Sequence, residues 1–245
     1  MDNDDAPIGR ILTRREALAL LGASGAVFLA RSTLFDGLPH ASAATAPSCV
    51  VRPEQTEGPY FVDERLNRSD IRSDPGAGVT KAGVPLLLAL TVSSLQDGAC
   101  RPLPGAQVDL WHCDAGGIYS DVTDPHFDTV GQRFLRGYQV TDREGTVRFH
   151  TIYPGWYEGR TAHIHFKVRT QPASARGHVF TSQLYFDDAL SDRVFGRAPY
   201  AGRGERKVRN ADDSIFRRGG RELTLDPAPS GEGYAASFAL GLELG

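Results

Sequence analysis

Between residues 86 and 242 the chain contains short segments in which hydrophobic and polar residues alternate. Such period-2 patterns are typical of strands with one buried and one exposed face. Turn-forming stretches with glycine, proline or aspartate separate the segments, and long helical periodicity is absent. The segments comprise residues 86–95, 106–113, 137–140, 146–152, 161–169, 181–186 and 233–242. This pattern predicts an all-β fold, a β-sandwich.

Two shorter stretches complete the prediction for the mature chain. Residues 142–145 connect the segments 137–140 and 146–152, and their length and composition predict a β-hairpin. Residues 188–195 are compatible with a short helix or a turn. No internal repeat or low-complexity linker divides residues 44–245, so we expect them to form one domain with a substantial core.

The first 43 residues have the order of charge and hydrophobicity that is typical of an export signal. Arg14 and Arg15 precede an uncharged, mostly apolar run from residue 17 to residue 30, and small residues gather at 41–44. That run is shorter than the roughly 20 apolar residues that a membrane span needs, so no stable membrane insertion is expected. The arginine pair predicts a twin-arginine signal peptide over residues 1–43 and a periplasmic or extracellular mature protein.

Charge and cysteine content narrow the possible partners and pairings. The chain has 27 Lys and Arg against 30 Asp and Glu, and it carries no basic cluster or acidic tail, which argues against nucleic acid or an anionic membrane as partner. Three cysteines in an exported chain predict one disulfide and one free thiol. A strand would hold Cys100 and Cys113 too far apart to pair. Cys49–Cys100, with both residues expected outside regular strands, is favoured over Cys49–Cys113.

Candidate chemistry is concentrated in residues 157–165. His163 and His165 stand two residues apart in a predicted strand, so their imidazoles project from the same face. Two neutral imidazoles provide half of a first-row transition-metal site, and the phenol of Tyr157 can add an oxygen ligand. A His-x-His pair alone is also compatible with a polar strand surface, so the surrounding residues decide between the two interpretations.

Two motifs surround the histidine pair. Residues 151–168 read Thr-Ile-Tyr-Pro-Gly-Trp-Tyr-Glu-Gly-Arg-Thr-Ala-His-Ile-His-Phe-Lys-Val, and residues 108–120 read Val-Asp-Leu-Trp-His-Cys-Asp-Ala-Gly-Gly-Ile-Tyr-Ser. Over roughly residues 53–240 the chain resembles the intradiol ring-cleavage dioxygenases, the family of catechol 1,2-dioxygenase and protocatechuate 3,4-dioxygenase. It resembles more closely a smaller, exported single-domain group of that family. The N-terminal helical dimerisation domain of the catechol 1,2-dioxygenases has no counterpart in this pattern, so the oligomeric state stays open.

The resemblance implies a metal centre and an activity. It implies one mononuclear non-haem ferric ion per chain, bound by Tyr119, Tyr157, His163 and His165 and held between the two sheets of the sandwich. Phenolate oxygen is a hard anionic donor that suits ferric iron. The implied reaction is EC 1.13.11 type: a catechol-type aromatic diol and dioxygen give a muconate-type dicarboxylate, with cleavage between the two hydroxyl-bearing carbons.

The resemblance also implies roles for residues near the ligands. Tyr157 would be the ligand that the substrate displaces, and Arg160 would face the substrate and stabilise developing negative charge. Gln183 would lie beside the site as a catalytic and substrate-binding residue. Tyr60, in a Gly-Pro-Tyr segment, would line the substrate mouth. A surface ion pair for Arg160 and core packing for Tyr60 are the alternatives.

Other readings of the histidine pair agree less well with the residues. A cupin would need a glutamate where this chain has Arg169 and Thr170, and a zinc hydrolase would need a third ligand at a familiar spacing. A non-catalytic β-sandwich that binds aromatic or carbohydrate ligands, and an extracellular metal-storage protein, stay open as alternatives. The sequence does not identify the physiological catechol.

Overall fold

The computed structural model describes residues 49–174 and 176–244. The predicted signal peptide over residues 1–43 lies outside the described residues, and so it stays a prediction. In the part of the chain that is described, no helix is both long enough and apolar enough to cross a membrane.

The regular structure of the described residues consists of eleven strands, one α-helix and two 3₁₀-helices, Tyr200–Arg203 and Gly220–Leu223. The elements are β1 (Pro85–Gln96), β2 (Ala99–Pro102), β3 (Gln107–Trp111), β4 (Thr123–Asp124), β5 (Phe127–Asp128), β6 (Arg136–Val140), β7 (Thr146–Ile152), β8 (His163–Arg169), β9 (Val179–Tyr185), α1 (Asp188–Phe195), β10 (Ala228–Ser230) and β11 (Gly233–Glu243). The strand segments predicted from the sequence are confirmed, with ends that agree within two residues. Sequence analysis missed the four strands of two to four residues, which are too short to show a periodic pattern.

The long strands form two sheets. In the first sheet β11 runs parallel to β1, β10 flanks β11, and β2 and β7 pair with opposite ends of β1. The second sheet has the order β6-β3-β8-β9, with every neighbouring pair antiparallel. The short strands β4 and β5 form a separate hairpin.

The inner faces of the two sheets enclose the main hydrophobic core. Leu86 and Leu88 of β1 are 0% and 1% exposed, because alternate side chains of this strand point to the same face. Ile164 and Phe166 of β8 belong to the same buried cluster, and the ring of Phe166 contacts that of Phe238 in β11 with centroids 6.1 Å apart. This arrangement confirms the predicted β-sandwich.

The turn at residues 142–145 forms, but the predicted hairpin does not. The Asp142 carboxylate accepts hydrogen bonds from the backbone N–H groups of Glu144 (3.1 Å) and Thr146 (2.8 Å). However, β6 pairs with β3 in the second sheet, whereas β7 pairs with β1 in the first. The hairpin prediction was therefore wrong, since the same short connection carries the chain across the sandwich. Val92 of β1 fixes this crossing by donating its N–H to Gly145 O at 2.8 Å.

The helix α1 confirms the prediction of a short helix or turn at residues 188–195. The side chain of Asp187 caps its first turn by accepting from the backbone N–H groups of Ala189 (2.9 Å) and Leu190 (3.1 Å). This N-cap satisfies donors that the helix itself cannot pair.

Residues 50–72, which we call the belt, wrap around the sandwich. Their backbone pairs in turn with β11, β9, β6 and β7. The contacts are Val51 with Gly241, Gln55 N with Thr181 O (2.9 Å), Arg68 N with Tyr138 O (3.0 Å) and Ile71 N with His150 O (3.0 Å). Between β9 and β6 the belt crosses the outer face of the second sheet, where Lys167 pairs with Glu57 and lies 3.6 Å from the ring centroid of Phe61.

The residue that precedes the belt is covalently tied to the first sheet. The Cys49–Cys100 disulfide confirms the favoured pairing, with a Cα–Cα distance of 5.7 Å, and Cys113 is free and buried. The expectation that both paired cysteines lie outside regular strands was wrong for Cys100, which belongs to β2. A four-residue strand next to a turn has no pattern by which the sequence could distinguish it from the turn.

Candidate metal centre

His163 and His165 lie on the outer face of the second sheet. Because side chains alternate along β8, the histidines point away from the face that carries Ile164 and Phe166 into the main core. His165 stacks instead on Trp111 of β3, with ring centroids 5.0 Å apart and planes inclined by 9°. The implied position between the two sheets was therefore wrong. The site lies between the outer face of the second sheet, the belt and two loops.

Four predicted ligand side chains come together at this place. His163 Nε2 lies 3.1 Å from His165 Nε2 and 3.2 Å from the Tyr157 hydroxyl. The ring of Tyr119 is 5.7 Å from that of Tyr157 and 6.3 Å from that of His165, measured between centroids. Tyr119, His163 and His165 are at most 2% exposed, whereas Tyr157 is half-buried. Tyr157 is thus the less buried of the two phenols, and the resemblance implies that it is the ligand that exchanges.

The protonation of the histidines leaves their ring nitrogens free to bind a cation. His163 Nδ1 lies 2.7 Å from the carbonyl oxygen of Thr161, which only accepts, so Nδ1 carries the proton and Nε2 presents a lone pair. Burial and the nearby Arg160 guanidinium hold the pKa of His163 well below its usual value, and burial and His163 do the same for the pKa of His165. Both imidazoles are therefore neutral, as metal ligands must be.

The pKa values of the two phenols are shifted in the opposite direction, upward. Burial, followed by the neighbouring Tyr157, raises the pKa of Tyr119 well above its usual value. Burial likewise raises the pKa of Tyr157, against the lowering effect of Arg160. Two such phenols keep their protons at neutral pH unless a cation beside them stabilises the phenolates.

Close packing of two loops positions the two tyrosines. Gly117 has a φ of +80°, and a Cβ atom there would lie only 2.4 Å from the carbonyl oxygen of Trp156, so only glycine allows this contact. The Arg203 guanidinium donates to the same Trp156 oxygen at 2.5 Å and lies over its indole ring. The loop that leads to Tyr119 is thereby held against the loop that carries Tyr157.

A buried arginine fixes the backbone around Tyr119 and Tyr60. Arg136, 2% exposed, donates from Nε to Ser120 O (3.0 Å) and from Nη1 to Tyr60 O (2.7 Å). Thr129 Oγ1 donates to the carbonyl oxygen of Tyr119 at 2.7 Å. Arg136 was not predicted from the sequence, because no motif links it to its partners. Ser120 lies 16 positions from it and Tyr60 lies 76 positions from it.

Arg160 is oriented by two partners. Its Nε donates to the buried carboxylate of Asp213 (2.8 Å), and its Nη2 donates to Gln183 Oε1 (2.5 Å). Its Nη1 lies 3.4 Å from His163 Nε2. With the other two nitrogens engaged, Nη1 is the donor that faces the ligand cluster and can meet an anionic oxygen there.

Gln183 is placed beside the site by strand pairing. It lies opposite His165 in the β8–β9 register and is fully buried. Its Nε2 donates to Thr56 O in the belt at 2.9 Å, while its Oε1 accepts from Tyr185 (3.0 Å) and Arg160 (2.5 Å). The side chain thus joins the belt to Arg160, which holds the guanidinium in one orientation.

Tyr60 lies on the belt against both phenol ligands. Its ring stacks on Tyr119 with centroids 4.5 Å apart and meets Tyr157 edge-on at 6.3 Å. Its hydroxyl donates to the Asp124 carboxylate at 2.7 Å, across to the β4–β5 hairpin. Burial and then this carboxylate raise the pKa of Tyr60 to about 12. Sequence analysis identified Tyr60 but not its partner.

The donor set fits a transition-metal ion of the ferric type. The spacings of about 3 Å between donors match ligands that share one metal at bond lengths of about 2.1 Å. The Tyr119 hydroxyl and His165 Nδ1 are buried without a hydrogen-bond partner among the described residues. A Cβ at Gly58 would lie in van der Waals contact with His165, 3.5 Å from Cε1 and 4.0 Å from Nε2, and the φ of +70° at this position favours glycine. Among the described residues no group of three or more His, Cys, Asp or Glu could hold a metal, so the phenols are the available anionic donors.

Comparisons with known proteins agree with this geometry. A family model described as Dioxygenase matches residues 56–199. The chain is 29% identical over 193 residues to chlorocatechol 1,2-dioxygenase of Pseudomonas putida, covering 71% of this chain and 64% of that protein. It is 34% identical over 152 residues to catechol 1,2-dioxygenase of Acinetobacter baylyi, covering 51% and 43%. The matches thus span less than two thirds of either relative.

A solved structure extends the likeness to the fold. An intradiol ring-cleavage dioxygenase from Tetranychus urticae superposes with a TM-score of 0.69 at 32% identity, covering 80% of this chain and 95% of the other. Because the family model matches more than half of the chain and its range includes all four predicted ligands, the chain belongs to the intradiol ring-cleavage dioxygenase family. The family expected from the sequence is confirmed.

Proposed function

We propose that this protein is an exported, iron-dependent dioxygenase that cleaves catechols between their two hydroxyl-bearing carbons. The observation that carries the proposal is the convergence of two phenols and two neutral imidazoles, from Tyr119, Tyr157, His163 and His165, without a carboxylate in the set. Two phenolates favour ferric over ferrous iron, whereas a carboxylate with two histidines is the set of ferrous oxygenases.

A ferric ion bound by these residues would supply a Lewis acid that holds both oxygens of a catechol and makes its ring reactive toward dioxygen. Tyr157, as the half-buried phenol, is the residue that we assign to give way to substrate, and its oxygen then accepts a proton from a catechol hydroxyl. Arg160 Nη1 donates to the negative charge that develops on the substrate. Gln183 holds Arg160 in its orientation, and Tyr60 packs against Tyr119 at the mouth of the site.

Metal analysis and the visible spectrum test the cofactor. We expect one iron per chain and a strong visible absorption band, because ferric phenolate complexes are coloured. Purified protein that is active and contains only zinc would contradict the proposal.

Two substitutions test the division of roles among the ligands. Tyr157→Phe is expected to retain iron but to lose most turnover, whereas His163→Ala is expected to lose iron, since that imidazole stays bound throughout. Tyr153→Phe is the matched control, because Tyr153 is a nearby buried tyrosine whose hydroxyl pairs with Ser191 in the main core (2.8 Å). Equal iron loss in the Tyr157 and His163 variants would refute the assignment.

The product identifies the bond that is cleaved. With catechol under isotopically labelled dioxygen, we expect a colourless muconate that carries label from both oxygen atoms. A yellow semialdehyde would show cleavage beside the diol and would overturn the proposal. Arg160→Ala is expected to lower kcat by about 10²–10³-fold, as for the loss of one donor to a developing oxyanion.

Export through the twin-arginine route is part of the proposal. The Cys49–Cys100 disulfide supports an oxidising location. Replacing both Arg14 and Arg15 with lysine is expected to leave the protein in the cytoplasm with its first 43 residues attached, as determined by fractionation and N-terminal sequencing. A wild-type protein that retains Met1 in the cytoplasm would contradict this part.

A further inference from the structure

The mouth of the candidate site has a polar edge that the proposed chemistry does not use. The Tyr60 ring lies against Tyr119 and Tyr157, and its hydroxyl points to Asp124 on the β4–β5 hairpin. The belt and the hairpin are thus joined by one hydrogen bond beside the ligands.

The hydrogen bond decides what the edge offers to a ligand. A phenol has a single proton, and the proton of Tyr60 is directed to Asp124 Oδ2 at 2.7 Å. The Tyr60 oxygen can then only accept a further hydrogen bond. The groups that hold Asp124 are this hydroxyl and the backbone N–H of His126 (2.9 Å), neither of which carries a full positive charge. The edge therefore presents acceptors and one negative charge.

The guanidinium of the site does not neutralise this edge. Arg160 donates to the carboxylate of Asp213 and to Gln183. The other carboxylate of the hairpin, Asp128, accepts from the backbone N–H of Val130 and from the Thr123 hydroxyl, whereas the hydrogen bond of Tyr60 goes to Asp124. The hairpin thus adds negative charge without an arginine or lysine in these contacts.

We propose that a ring substituent of a bound catechol meets the Tyr60–Asp124 pair, and that this pair favours catechols with a neutral or hydrogen-bond-donating substituent and rejects catechols with a carboxylate at that position. The proposal rests on the proposed function and narrows its substrate class. A carboxylate at this edge meets a like charge and two oxygens with no proton to donate, so it is repelled and gains no hydrogen bond from this pair. A hydroxyl substituent donates to the same oxygens.

The substitution Asp124→Asn reverses this polarity with little change in shape. Its Oδ1 is held by the N–H of His126, as in the wild type, so its Nδ2 faces the Tyr60 oxygen. The amide N–H then donates to Tyr60, which frees the phenol proton for a substrate carboxylate. The control Asp128→Asn removes the same charge from the same hairpin and leaves the Tyr60 contact intact.

The experiment compares kcat/KM for 4-methylcatechol, hydroxyquinol and protocatechuate in the wild type and both variants. In the wild type we expect 4-methylcatechol and hydroxyquinol to exceed protocatechuate by about tenfold or more, the effect of one unfavourable charged contact. Asp124→Asn is expected to reduce this ratio at least about fivefold, mainly through the KM for protocatechuate, and Asp128→Asn to leave it within about twofold. A purely structural role of Asp124 would instead lower kcat/KM for all three substrates alike.

The outcomes separate this inference from the proposed function. An unchanged ratio in Asp124→Asn, or an equal change in Asp128→Asn, overturns the selectivity element while leaving ring cleavage in place. Absence of muconate-type product from all three substrates in the wild type overturns the proposed function. In that case, dissociation constants of the same three ligands from iron-loaded protein, measured by visible titration, still test the ratio.

Discussion

The buried pair between Arg160 and Asp213 gives the strongest prediction for stability and turnover together. The Asp213 side chain is 0% exposed and accepts four hydrogen bonds. Its Oδ2 accepts from Arg160 Nε (2.8 Å) and Thr161 N (3.0 Å), and its Oδ1 accepts from Ile215 N (2.8 Å) and Phe216 N (3.2 Å). In Asp213→Asn only one oxygen remains, and the amide N–H₂ faces two donors that have no acceptor left.

The magnitude follows from those contacts. Breaking a buried ion pair by changing one partner costs about 3–5 kcal/mol, and an unpaired buried donor costs about 1–3 kcal/mol. Since these costs overlap, we expect Asp213→Asn to lower the free energy of unfolding by about 4 kcal/mol. Because Arg160 loses one of the two partners that orient it, kcat is expected to fall, by less than in Arg160→Ala, with iron retained.

Urea unfolding and steady-state kinetics measure the two effects. The matched control is Arg148→Gln, which breaks an ion pair of 3.4 Å to Asp142 with 69% and 40% of the two side chains exposed. Such an exposed pair contributes little to stability, because solvent and salt screen it. If Asp213→Asn costs as little as this control and keeps wild-type kcat, the reasoning on a buried positioning carboxylate is refuted.

Three further predictions concern the site, the disulfide and pH. Gly58→Ala is expected to lower bound iron at least about twofold relative to Gly98→Ala, which has a similar φ (+74°) but nothing within 4 Å, and equal iron contents would contradict this. Replacing Cys49 and Cys100 with serine opens a link with sequence separation 51, and denaturant unfolding should show a loss of about 4 kcal/mol. Burial lowers the pKa of His112 to about 4, so the unfolded chain binds the proton first, and stability should fall as pH drops from about 6.5 to 4. A His112→Asn variant with an unchanged slope would contradict this.

The ligands could be predicted because they depend on local spacing. Two residues in a strand fix the relation of His163 to His165, and each tyrosine ends a motif of contiguous residues. The strands were likewise visible as alternating patterns. These are properties of short segments, which the sequence displays directly.

The face that holds the site could not be predicted in the same way. All five residues of β3 are buried, and β8 is buried through His163, Ile164, His165 and Phe166. A sheet that is covered on both faces shows no polar side, so alternation does not tell which face meets the other sheet. The crossing between β6 and β7 was missed for a different reason, since a short turn between two strands has the same sequence pattern whether or not those strands pair.

The residues that position the ligands also could not be predicted from local sequence patterns. Asp213 is 53 positions from Arg160, and Arg136 is 76 positions from Tyr60. Each is one polar residue in an unremarkable segment. Only the fold brings them to the site, where burial makes their hydrogen bonds decisive.

The belt links the integrity of the site to the solubility of the protein. The same segment that places Gly58 and Tyr60 at the ligands also hydrogen-bonds along β9, β6 and β7. Uncovered strand edges are templates on which other chains can pair. Detachment of the belt would therefore open the site and at the same time expose unpaired strand edges. Loss of iron and the onset of aggregation are expected to occur together.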